Sequence, residues 1–152
     1  MNASFFDFKL FAIPENDNSA SRCIGENAKH LLLLYNPAEQ LEELQSFLGK
    51  ILQAIQLDLQ KDALQLPINT EESIQLAAIA NNKNCSTVIV FGHPLPQLGL
   101  HLELPLYYPT LHQGITFLLT DPLLSIYQER QNGGKKMSGA LWSALREIFL
   151  TT

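Results

Sequence analysis

Two hydrophobic rhythms alternate along this chain. His30 to Tyr35, HLLLLY, is an unbroken apolar run, as expected of a short strand covered on both faces. Asn36-Pro37 then supplies a helix cap and a proline suited to the first helical position. Beyond it Leu41, Leu44, Leu48, Ile51 and Ile55 recur at helical spacing, with Phe47 and Leu52 widening the stripe, which predicts an amphipathic helix. DALQLPI, Asp62 to Ile68, predicts a second strand ended by Pro67. Asn69 or Thr70 is placed to cap a helix running through Ala80, with Glu71 and Glu72 favourable to its dipole. STVIVFG predicts a β-branched strand, stopped by Gly92-His93-Pro94.

Pro94, Pro96, Pro105 and Pro109 then pace a long irregular crossing, with Tyr107 and Tyr108 near its end. ITFLLT, Ile115 to Thr120, predicts a further strand. Asp121-Pro122 opens a short helix that Asn132-Gly133-Gly134 breaks. Lys136 to Phe149 predicts a last helix with Leu141, Leu145, Ile148 and Phe149 on one face and Trp142 beside them. The order β-α-β-α-β-loop-β-α-α predicts an α/β fold, a three-layer α/β/α arrangement on a mostly parallel four- to five-stranded sheet. Residues 28–152 form its single domain. Residues 1–27 read as an apolar segment and a linker: Phe5, Phe6, Phe8, Leu10, Phe11 and Ile13 precede the polar ENDNSASR. The aromatics suit local packing or an edge strand, because exposing them costs about 25 cal/mol per Å². A tail that docks elsewhere is the other reading.

Composition narrows the function classes. At 152 residues and 46% hydrophobic, the chain can bury one sizeable core. Only 16% of its residues are charged, so much of the sequence is expected to be buried or to face a partner. Ten basic residues against fifteen acidic give a net charge of −5, which disfavours direct nucleic-acid binding. Cys23 and Cys85 match no metal spacing and are expected to be reduced thiols. The start, MNASFFDFKLFAIPEND, lacks the basic opening of a signal peptide, and no apolar run reaches the length of a membrane span. A cytoplasmic protein without membrane association or cofactor is expected.

The candidate chemistry centres on VIVFGHPLPQLGL, Val88 to Leu100. Its strand-flanked His-Pro-x-Pro is similar to the segment that carries the catalytic histidine of uracil-DNA glycosylases. Such an enzyme also needs a carboxylate after the first strand, to position water and stabilise the sugar cation, and groups that read a flipped base. Here that position holds Asn36, and Glu39 sits where the helix dipole alone favours an acid. His93 is therefore expected to be a polar corner residue. His93, His101 and His112, with Glu103 among them, show no ligand spacing, so no metal site is expected. There is no Gly-x-Ser-x-Gly elbow, and Gly133-Gly134-Lys135-Lys136 follows a helix instead of the strand a phosphate loop needs. Lys135 and Lys136 do oppose the dipole of the last helix, with Arg130 close in sequence. They read as a solvated cluster or as a small site for an acidic partner or a phosphate. An open sheet would hold a ligand near Asn36, Gly92, His93 and Asp121, at the carboxyl ends of its strands.

The segment ITFLLTDPLLSIYQERQNGGKKMSGALWSALREIF resembles the C-terminal part of the psi subunit of bacterial DNA polymerase III. The matching residues are Leu119, Thr120, Asp121, Ala140, Leu141, Trp142 and Ile148, and the upstream elements follow in the same order from Lys29. The resemblance implies a uracil-DNA-glycosylase-like fold without catalysis. It also implies a clamp-loader accessory that links the clamp loader to a chi-like subunit. Phe5, Phe6, Phe8, Leu10 and Phe11 would then serve as the tethered peptide, a likeness of character without the family's tryptophan, and Trp142 as a partner contact. Two alternatives stay open: a divergent glycosylase using His93 and Asn36, and a small-ligand-binding α/β domain.

Overall fold

The computed structural model describes residues 23–149, apart from 40 and 70. Five strands form one sheet: β1 (Leu31–Tyr35), β2 (Ala63–Pro67), β3 (Thr87–Phe91), β4 (Thr110–His112) and β5 (Ile115–Thr120). Their spatial order is β2-β1-β3-β5-β4, with β4 antiparallel to β5 and the other pairs parallel. The unbroken apolar runs are explained by burial on both faces. β1, β2 and β3 are buried at every position.

Successive side chains divide between two cores because the strand period is two. Leu31, Leu33, Tyr35, Ile89, Phe91 and Leu118 pack beneath α1 (Glu42–Gln53), α3 (Leu123–Gln131) and α4 (Lys136–Phe149). Leu32, Leu34, Val88, Val90 and Phe117 face the other way, towards α2 (Leu76–Asn82) and the segment holding Leu98, Leu100 and Leu104. Helical layers thus cover both faces of a mostly parallel sheet. On the first face Tyr35 Oη donates to Gln65 Oε1 (2.6 Å) and accepts from Gln45 Nε2 (3.2 Å), which satisfies the buried phenol.

The structure differs from the hydrophobic pattern in three places. Asn36 caps a short 3₁₀ turn, Pro37–Glu39, through its Oδ1, which accepts from Ala38 N at 2.9 Å; α1 begins only at Glu42. The second helix is confined to Leu76–Asn82. Ile74 N donates to Gln97 O (2.8 Å) across the proline-paced segment, so the chain before Leu76 is held extended by a distant partner. Finally, β4 lies inside the crossing read as irregular. Gln113 and Gly114, both at positive φ (52° and 83°), turn it back onto β5 as a two-residue hairpin. Ile24, in the stretch read as linker, exchanges backbone hydrogen bonds with Gln65 on the outer side of β2 (2.8 and 2.7 Å). The aromatic segment Phe5, Phe6, Phe8, Leu10 and Phe11 lies outside the described residues.

Candidate functional site

The topology itself marks one place for a site. From β1 the chain crosses to β2 on one side and then returns past β1 to β3 on the other, so the carboxyl ends of β1 and β3 flank the crevice where open sheets hold ligands. Asn36, Gly92 and Asp121 follow β1, β3 and β5, and all three stand along this edge with His93.

Their side chains do not converge on a common space. Asn36 is engaged by its own turn. Asp121 Oδ2 accepts from Tyr107 Oη at 2.7 Å, which ties the end of β5 to the last part of the crossing. Burial, then this hydrogen bond, push the Tyr107 phenol well above its ordinary range. Gly92 adopts a φ of +82°, and a Cβ there would lie 2.6 Å from Pro122 Cγ, so the strand end and the start of α3 meet too closely for a side chain.

His93 is 3% exposed. Its Nε2 lies 2.5 Å from the Ile68 carbonyl, an acceptor only, so Nε2 carries the proton and donates. Ile68 is itself fully buried, and its N–H donates to Tyr35 O at the end of β1 (2.8 Å). Ile68 therefore spans the crevice, held by β1 through its nitrogen and by the residue after β3 through its oxygen. The other ring nitrogen, Nδ1, is buried without a hydrogen-bond partner. Neither nitrogen of His93 meets a carboxylate. Among the described residues, no three His, Cys, Asp or Glu side chains gather to hold a metal ion.

A groove of about 880 Å³ runs between α1 and the α3–α4 pair on the outer side of the first helical layer. Phe47, Ile51, Tyr127 and Trp142 supply its apolar lining, with Phe47 and Tyr127 in edge-to-face contact at 5.3 Å. Trp142, 39% exposed, is covered on one side by the Arg146 guanidinium, 4.7 Å from the ring centroid. Lys50, Arg130 and Lys135 line the groove as exposed cations, and Glu42 and Glu43 as acids. Phe47 and Tyr127 were not singled out from the sequence as functional. Helical spacing alone assigns Phe47 to the core stripe, and only the packing of three helices leaves its edge in a groove.

Fold and site together define an α/β protein in which Ile68 and His93 bridge the ends of β1 and β3 and a helix-lined groove opens on the surface. No family model matches the chain, and no curated protein matches it in sequence. Among the described residues, no helix is long and apolar enough to cross a membrane.

Proposed function

We propose that this chain is a non-catalytic accessory protein of DNA replication, a psi-like adaptor that links the clamp loader to a partner subunit. The observation that carries the reading is the Ile68–His93 clasp. A glycosylase needs an imidazole N–H free to reach its substrate at the carboxyl ends of β1 and β3. Here the main chain of the buried Ile68 bridges the ends of β1 and β3, and the proton-bearing nitrogen of the imidazole is committed to its carbonyl. The segment that resembles psi proteins forms β5, α3 and α4 in succession, and its tryptophan lines the exposed groove. An aromatic groove on a protein with few charges suits a protein partner better than a nucleic acid.

Two assays with the tagged full chain test this. Clamp-loader subunits are expected to be retained from a lysate of the host, and uracil-containing single-stranded DNA is expected to remain intact. Recovery of no clamp-loader subunit overturns the reading. Uracil release that His93→Ala abolishes would replace it with an enzyme.

A further inference from the structure

Lys135 poses the question for this surface. Lys50 and Arg130 stand in the last turns of α1 and α3, where a cation is favoured by the helix dipole, so their placement needs no further reason. Lys135 directly precedes α4, at the end where positive charge is disfavoured. The acids Glu129 and Glu43 on the neighbouring helices each hold a hydrogen bond to another group. Glu129 Oε1 accepts from Met137 N (2.7 Å) and so serves the exposed amides of α4. Glu43 Oε2 accepts from Tyr127 Oη (3.3 Å). Lys50, Arg130 and Lys135 thus line one groove against the two acids Glu42 and Glu43, a local excess of positive charge in a protein of net charge −5.

The apolar part of the groove makes a second demand. Phe47, Ile51, Tyr127 and Trp142 form an aromatic and aliphatic strip on helices whose backbone groups are already paired, so an occupant must be held by side chains. Such strips accept an apolar anchor, and flanking cations then fix the orientation of any acid beside it.

We propose that the groove between α1 and the α3–α4 pair binds an acidic peptide segment of a partner protein. An apolar or aromatic anchor rests on Trp142 and Phe47, and carboxylates meet Lys50, Arg130 and Lys135. The inference rests on the adaptor reading and specifies the chemistry of its partner. Arg146, stacked on the indole, holds the Trp142 ring in place for the anchor and adds positive charge at that end.

Fluorescence anisotropy with the full chain tests it. The probe is a fluorescein-labelled peptide in which glutamates flank a central Leu-Phe pair, and a second peptide replaces the glutamates with lysines. The glutamate probe is expected to bind and the lysine peptide not, with affinity falling as salt is raised. Trp142→Ala, and separately the pair Arg130→Glu with Lys135→Glu, should each weaken binding by about tenfold or more. Lys135→Glu places an acid at a helix N-terminus, so the single variant should melt at or above the wild-type temperature, which separates lost binding from lost folding.

Equal binding of both peptides, or binding unchanged in both variants, overturns the proposal. Displacement of the probe by a peptide of residues 1–22 more efficiently than by unlabelled probe would give the groove to the chain's own N-terminal segment. A doubled mass in light scattering that Trp142→Ala abolishes would give it to a second copy. Either outcome overturns the proposal. If the probe fails while clamp-loader subunits are retained, the groove proposal falls and the adaptor reading stands. If the probe binds while no subunit is retained, the adaptor reading falls.

Discussion

Removing the imidazole of His93 would leave the carbonyl of Ile68 buried without its donor. His93→Phe keeps an aromatic ring but no N–H, and is expected to cost about 1–3 kcal/mol, read from urea unfolding curves with an unchanged slope. Wild-type stability in that variant would mean that water replaces the bond and that the crevice is open. The corner position of His93 was legible from Gly92 and Pro94, since chain reversal is a local property. Its partner was not, because Ile68 lies 25 residues earlier and only the return of the chain past β1 brings the two together. Asn36 is the converse case. Its side chain bonds two residues along, and so the cap could be read from neighbours alone.

At the scale of elements, the start of α4 shows how a local penalty is offset. Lys135 and Lys136 stand against the dipole, and the carboxylate of Glu129, reaching from α3, accepts from the Met137 amide. Glu129→Ala is expected to lower stability by about 0.5–2 kcal/mol, the ordinary range for loss of a cap, measured by thermal unfolding. The limits of α4 were readable because Gly133-Gly134 and the periodic Leu141, Leu145 and Ile148 act over one or two turns. The start of α2 was not. The Asn69–Glu72 signature satisfies a turn, with Asn69 N donating to Glu72 Oε1 (2.9 Å), but the amide of Ile74 is claimed by Gln97 from another part of the chain. The strand β4 was missed for a related reason. Three residues carry too little pattern to declare a strand, although Gln113-Gly114 was a readable hairpin turn.

The whole molecule should lose stability in alkali. Burial pushes the Cys85 thiol up from an ordinary value of 9.0 to about 11, and raises Cys23 in the same direction. Burial likewise raises the Tyr107 phenol. Each of these groups is neutral when protonated, and the folded chain keeps its proton where the unfolded chain has already released it. The unfolded state therefore binds fewer protons, and stability falls with rising pH. The contribution of Cys85 is fully present below pH 9.0 and is lost as pH rises through about 11. Thermal unfolding between these limits should show a falling midpoint, and Cys85→Ala should flatten the fall. Both cysteines are free, which makes the experiment simple to read.

The sequence by itself determined the alternation of strands and helices, the two-sided burial of β1 and the limits of the last two helices, because these follow from side-chain periodicity and from bonds between near neighbours. Tertiary structure alone decided which of the residues along the carboxyl edge share a space. Asn36, His93 and Asp121 are each drawn to a different partner, and two of those partners lie 25 and 14 residues away. It also decided that Phe47 and Trp142 line one groove. A helical stripe states which side of a helix is apolar, but not how closely the next helix approaches, and that approach is set by the packing of all three helices against the sheet.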